Sequence, residues 1–419
     1  HHHKVHYMQP EYSTKPAVYY GWFIVGTLAW TETISWGVLY YAFAVFQQPI
    51  GATMGWSQVQ VTGAFSLALL VAGLAAVPVG YWIDRHGARE LMAAGSGIAA
   101  ILLLALAHVE RLATLYAIWA GLGLCMAAVL YEPAFAVITT WFVRRRGQAL
   151  AIVTFAAGFA STIFVPLSAA LLTHYGWRTA LMLLAAALGV GTVAPHALVL
   201  RRRPTDIGLA PDGEPRDTYS RRGPAQPERN TSLRTALRNS SFWWLVAAFT
   251  LTSLAATATT IHLIPYLTTR GHTTAAAAWA TGLIGAMKLP GRALFAPLDA
   301  RIPRRVLTAL LFGLQGVALL VLLLAPSTAG VLVFVVLFGA ATGATTLARP
   351  ALLAERYGVA AYASISGTLA LALALAGALA PVGAGALRAG FGSYPPVFGL
   401  LALIAFVAAG VVFIAMRAP

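Results

Sequence analysis

The chain has 419 residues, of which 59% are hydrophobic and only 10% charged, a balance that excludes a single soluble core and makes lipid the solvent for most of it. Its net charge of +15 does not by itself call for nucleic acid, because the basic residues gather in the loops of one side, as the positive-inside rule describes. The lone cysteine, Cys125, excludes an intrachain disulfide and an all-cysteine metal site.

A spanning helix needs roughly 20 mostly apolar residues. Such stretches occur at 19–46, 59–82, 89–108, 112–139, 148–172 and 179–200, and again at 242–267, 275–298, 304–325, 330–354, 361–387 and 395–416. The runs are continuous and rich in Ala and Leu, unlike the short alternating segments of a membrane barrel. The expected fold is an all-α membrane protein with twelve transmembrane helices in two six-helix bundles. Residues 1–18 precede the first span. His1, His2 and His3 there read as the end of a purification tag with Met8 as the native start, and they are set aside as ligands. No cleavable signal peptide is expected before the first span.

The N-terminal bundle (19–200) opens with Glu32, Trp36 and Tyr40 spaced four apart on one face of the first span. The turn after the second span reads GYWIDRHGARE at 80–90, and the fourth span carries Tyr131, Glu132 and Phe135 before the basic run Arg144, Arg145 and Arg146. Segment 201–241 combines Pro, Gly and both charge signs, so it is expected to be a largely irregular cytoplasmic linker, with a short amphipathic helix from Thr231 to Asn239. In the C-terminal bundle (242–416), the seventh span contains IHLIPYL with His262 and Tyr266. The eighth carries Lys288 and Arg292 and ends in GRALFAPLDARIPRR at 291–305, an echo of the turn at 80–90 that a duplicated unit produces. The tenth holds Arg349 and ends near Glu355.

Gly80, Asp84, Arg85, Gly87 and Arg89 match the loop motif of the major facilitator superfamily, which the chain therefore resembles. The resemblance implies two pseudo-symmetric bundles, and a cytoplasmic gate in which Asp84, Arg85 and Arg89 engage neighbouring helix ends. YYGWFIV at 19–25, GWSQVQVTGAFSLALLVAG at 55–73 and Trp141–Phe142 followed by Arg144, Arg145, Arg146, Gly147 and Ala149 are similar to the bacterial monocarboxylate and oxalate/formate transporter branch. Drug/proton antiporters of the superfamily carry a Gly-Pro motif in the fifth span, where this chain has Val165 before Pro166. The resemblance further implies that spans one, four, seven and ten line the cavity. By the same resemblance Arg292 meets a substrate carboxylate, as its planar fork suits, and an aromatic of the fourth span donates a hydrogen bond to it. Lys288 stands where that branch has an acid.

Ionisable side chains inside a membrane are costly, so each is a functional candidate. By helix rise, Glu32 matches Lys288 in depth, and Glu132 matches Arg292 roughly 8 to 10 Å nearer the cytoplasm, which predicts two ion pairs between the halves. Either Glu32 or Glu132 then takes the proton, or the two cations serve a more anionic substrate by exchange. His262 titrates as well, or only donates a hydrogen bond. Arg349 is expected to turn to the cytoplasmic surface and pair with Glu355. Substrate contacts are assigned to Arg292, Lys288, Tyr40, Trp36, Tyr131, Phe135 and Tyr266, and proton coupling to Glu32, Glu132 and His262.

The expected function is secondary transport of a small organic anion, with a proton-coupled monocarboxylate such as lactate or pyruvate in front. Alternatives are proton-coupled efflux of an amphipathic or toxic compound, exchange of a dicarboxylate such as oxalate, and last a sensor that does not transport. No P-loop, HExxH or GxSxG occurs in a suitable setting, so neither ATP nor enzymatic chemistry is expected. No cofactor, metal or nucleic-acid partner is expected either, and the partners are the anion, protons and the bilayer. The protein is expected to work as a monomer. High Ala, Gly and Arg content is what a GC-rich bacterial genome produces, which points to the cytoplasmic membrane with both termini inside.

Overall fold

The computed structural model describes residues 18–213, 231–325 and 327–417. The proposed tag and most of the N-terminal segment lie outside the described residues, as does the middle of the linker.

The described residues form twelve spanning helices. The first, α1, runs from Tyr20 to Met54 as Tyr20–Trp36, a π-turn at Gly37–Tyr41 and Phe43–Met54. It is followed by α2 (Gln58–His86), α3 (Arg89–Ala107) and α4, which is split into Leu112–Val129 and Tyr131–Trp141. Helix α5 comprises Arg146–Gly158 and residues 160–175, and α6 runs from residue 177 through the π-turn Gly189–Val193 to Ala194–Val199. Gly176, at φ 74°, makes the turn between α5 and α6 in a left-handed region that glycine enters without steric cost. The second half contains α7 (Ser240–Thr269), α8 (Thr274–Asp299), α9 (Arg304–Leu324), α10 (Thr328–Tyr357), α11 (Tyr362–Phe391) and α12 (Pro395–Arg417).

Among the described residues nine stretches are long and apolar enough to cross a bilayer, and one of them, Arg146–Val199, holds both α5 and α6. Helices α1 and α8 fall outside that set. They are the two spans diluted by Glu32 with a run of tyrosines and by Lys288 with Arg292, as suits helices that face a pathway more than lipid.

The expected linker contains two short turns, Pro204–Ile207 and Pro211–Gly213, and the amphipathic helix appears as Leu233–Arg238. Asp212 ties this segment to the first half. Its carboxylate accepts from the backbone N–H groups of Val143 and Arg144 at 3.0 and 2.8 Å and of Arg145 at 3.2 Å.

The two halves meet along α2 against α11 and α5 against α8. Small residues allow the first contact, the usual means of close helix approach in a membrane. A Cβ placed on Gly80 would come within 2.2 Å of the Ala363 carbonyl oxygen, and one on Gly367 equally close to that of Ala76. At the same end, Asp84 accepts from the N–H groups of Ala363 and Ser364, each at 2.9 Å, and from the Ser364 hydroxyl. A carboxylate thus caps the free donors at the start of α11. Arg85 and Arg89 stay within their own half. Arg85 lies 4.3 Å above the Tyr81 ring, and Arg89 donates to the Ala197 carbonyl at 2.7 Å, satisfying the end of α6.

Overpacking at a rigid backbone contact costs typically ~1–3 kcal/mol, and here it falls only on the state in which α2 and α11 touch. Gly80→Ala should therefore depopulate that state by roughly tenfold or more while leaving each half folded. Spin labels on the two bundles would detect the change as a shift in the distance distribution at this end, and an unchanged distribution would rule the gate role out.

Candidate functional site

The split in α4 creates the site. Pro133 lacks an N–H and its ring crowds the carbonyl four residues earlier, and the helix breaks at Leu130, with ψ at −161°, before restarting at Tyr131. Tyr131 and Glu132 therefore stand in the first turn of a half-helix buried between the bundles. An acid is favoured there by the exposed donor end of the helix.

Consecutive helical residues point about 100° apart, and the two side chains leave α4 in different directions. Glu132 reaches the second half, where Arg349 of α10 donates to Oε1 and Ser366 of α11 donates to Oε2 at 2.6 Å. The ion pair is mostly enclosed, with side-chain exposures of 13% for Arg349 and 23% for Glu132. Tyr131 turns toward α1 and α8, within the electrostatic reach of both Arg292 and Glu32. Phe135 lies fully buried and stacks on Tyr131 at 5.0 Å, fixing its ring.

The expected pairs are thus not the ones formed. Equal depth along the membrane sets height but not direction, and Glu132 takes Arg349 in place of Arg292. Arg349 does not turn to Glu355, which is occupied by Arg304 at 3.1 Å, itself held by Asp299 at 2.8 Å. Arg292 donates instead to the Thr154 carbonyl of α5 at 2.6 Å and leaves its Nε without a partner. Glu32 is completely buried, and neither of its oxygens has a hydrogen-bond partner, so the expected Glu32–Lys288 pair is absent. Lys288 is partly exposed on α8, near Arg292.

Between the halves lies a cavity of about 750 Å³, with Glu132 and Arg349 in its lining. Trp36, Tyr40, Tyr131, Leu70, Met126 and Ile261 form much of the rest, and small residues of α11 complete it. The three aromatics interlock: Trp36 lies 4.8 Å from Tyr131 and 5.3 Å from Tyr40. A second, smaller pocket of about 250 Å³ shares Arg349 and is lined by Thr252, Ser253, Gln315, Thr342, Thr345 and Thr346. The close approaches at Gly80 and Gly367 lie on the Asp84 side of the large cavity.

Two predicted residues lie elsewhere. Tyr266 is fully buried within the second half, stacks on Phe398 at 4.4 Å and donates to the Leu322 carbonyl. His262 places Nε2 3.0 Å from the Pro381 carbonyl, where the ring nitrogen must donate, and so ties α7 to α11. Sequence reasoning missed Ser366 and misassigned Arg349. Arginine directly before Pro350 in a cavity-lining helix, about a turn and a half before Glu355, was the available signal.

A buried acid without a partner contributes nothing favourable to folding. Glu32→Gln should leave the melting temperature unchanged or raise it by an amount equivalent to ~1 kcal/mol. A marked fall in stability would mean that the acid itself is needed for packing.

The sequence model of the Major Facilitator Superfamily matches residues 25–381. Monocarboxylate transporter 13 of Bos taurus is 26% identical over 385 residues, covering 90% of this chain and 85% of that protein. Monocarboxylate transporter 11 of Homo sapiens is 30% identical over 183 residues, which is 43% of this chain and 38% of that protein. Among solved structures, the E. coli fucose:proton symporter superposes with a TM-score of 0.68 at 16% identity, covering 95% of this chain and 98% of its own. A bacterial homologue of the iron transporter ferroportin, in an outward-facing state, gives 0.71 at 16% identity, with 94% and 100% covered.

Proposed function

Because the chain belongs to the major facilitator superfamily, we propose that it is a secondary transporter that carries a monocarboxylate together with a proton, using the Glu132–Arg349 pair as the coupling device. The observation that carries this reading is the position of that pair, between the halves and in the lining of the cavity.

The argument is one of charge. With Glu132 ionised and Arg349 protonated the pair is neutral, and two charges enclosed together are tolerable where one alone is not. An arriving carboxylate takes the guanidinium fork only if Glu132 gives it up, and Glu132 gives it up when it takes a proton. The loaded site then holds a neutral acid, a cation and an anion, again with no net charge. Proton and anion enter as a set, and the halves rock with the same charge in the empty and loaded forms. Ser366 accompanies the exchange, since its hydroxyl donates to whichever carboxylate occupies the place.

The Asp84 end is the cytoplasmic side in this reading, so the described state is closed inward with its cavity addressed from outside. The proteins named above as monocarboxylate transporters support the cargo class, and the fold likeness to a proton symporter is compatible with the coupling. Arg292, tied to the α5 backbone in this state, becomes available when α5 and α8 separate. It is the natural carboxylate partner on the inward side.

Purified protein in liposomes should accumulate a labelled monocarboxylate under an inward proton gradient. Arg349→Ala should lower this uptake at least about 100-fold, the scale of a lost charge-assisted contact of ~3 kcal/mol. Glu132→Gln should abolish gradient-driven accumulation yet keep anion exchange between the two sides. If Glu132→Gln still accumulates substrate against its gradient, Glu132 is not the coupling acid.

A further inference from the structure

Arg349 stands at the junction of two compartments. On one side is the large cavity with its aromatic and aliphatic walls. On the other is the small pocket, in which hydroxyls and an amide sit beside Phe249, Ala256 and Leu373. A short acid bound to Arg349 leaves the large cavity without complementary contacts, whereas a volume of about 750 Å³ lies within the roughly 300–1,000 Å³ of sites that enclose drug-sized ligands.

The small pocket is selective in the direction of its hydrogen bonds. Thr342 donates to the Phe338 carbonyl at 2.8 Å, Thr345 to that of Ala341 at 2.8 Å and Thr346 to that of Thr342 at 3.3 Å. Their protons are therefore spent one helical turn back, and what their oxygens offer is lone pairs. Gln315 is likewise engaged, accepting from Thr252 at 3.2 Å and donating to Thr345 at 3.3 Å. The α10 face of the pocket therefore accepts a hydroxyl donor better than a carbonyl oxygen. An ammonium group, the other strong donor, would be repelled by the adjacent guanidinium.

We infer that the cargo is an amphipathic 2-hydroxy monocarboxylate with a bulky, ring-bearing body. Its carboxylate takes Arg349, its hydroxyl donates to the threonine oxygens of α10, and its body fills the cavity against Trp36, Tyr40 and Tyr131. This inference rests on the monocarboxylate reading above and narrows it.

The test is calorimetric binding to the full chain, with 3-phenyllactate, lactate, 3-phenylpropionate and 3-phenyllactamide as probes. Each apolar methylene equivalent is worth about 10-fold or more in a fitted pocket, so 3-phenyllactate should bind at least about 100-fold more tightly than lactate. It should also exceed 3-phenylpropionate, which lacks the hydroxyl, by about 10-fold, one hydrogen bond of ~1.4 kcal/mol. A Cβ on Gly377, which lines the cavity, meets nothing within 4 Å, so the side chain of Gly377→Leu starts free of its neighbours and takes up cavity space. It should weaken 3-phenyllactate about 10-fold and leave lactate unchanged. Lactate binding as tightly as 3-phenyllactate, or 3-phenylpropionate matching it, overturns the inference and leaves the monocarboxylate reading standing. The amide binding as well as the acid, or no acid binding at all, removes the monocarboxylate reading and the inference with it.

Discussion

The ion pair between Glu132 and Arg349 is the constraint around which the rest of the molecule is arranged. It links α4 of one bundle to α10 of the other with both partners mostly enclosed, where an unpaired charge is costly. Both partners must therefore arrive together, and each is delivered by a helix interrupted or flanked by proline, Pro133 beyond Glu132 and Pro350 beyond Arg349. Removing one partner leaves the other uncompensated. The pair thus sets conformational specificity more than it adds stability.

Two further ties act on the same boundary but obey different rules. Asp84 caps the start of α11 with backbone and hydroxyl donors, an interaction that depends on the helix end being within reach and is lost when the bundles part. Arg292 holds the α5 carbonyl of Thr154, a contact between a charge and a single neutral oxygen that leaves part of the guanidinium unused. Both belong to one conformational state. The Glu132–Arg349 pair differs in that, under the proposed coupling, a small anion and a proton replace it without a change of charge, so it would respond to substrate where the other ties respond only to geometry.

Much of this was legible in the chain. Continuous apolar runs placed the spans, and the loop at 80–90 drew attention to Asp84, whose carboxylate caps α11. What failed was the assignment of partners. Depth follows from counting residues, but the direction in which a side chain leaves its helix depends on local breaks, and the break at Leu130 rotates Tyr131 and Glu132 onto different neighbours. The same limit explains Tyr266, expected to meet the substrate while its ring stacks on Phe398 in the core of the second half. Ser366 carried no charge to draw notice, and its role as second donor to Glu132 exists only because α11 packs on α2 through glycines.

Selectivity follows from where polarity stops. The first half contributes aromatic surface and one acid to the space between the bundles, and the second contributes one cation, hydroxyls on α7 and α10, the Gln315 amide of α9 and a share of the apolar wall. A molecule that satisfies both must be apolar toward one bundle and polar toward the other. Such a division also couples binding to movement, because neither bundle alone can satisfy the cargo, and only a state that keeps both faces on it avoids exposing an unpaired charge or an empty apolar wall. Under the proposed function the cargo is held by the same boundary that rocks, and the free energy of its recognition acts directly on the equilibrium between the two states.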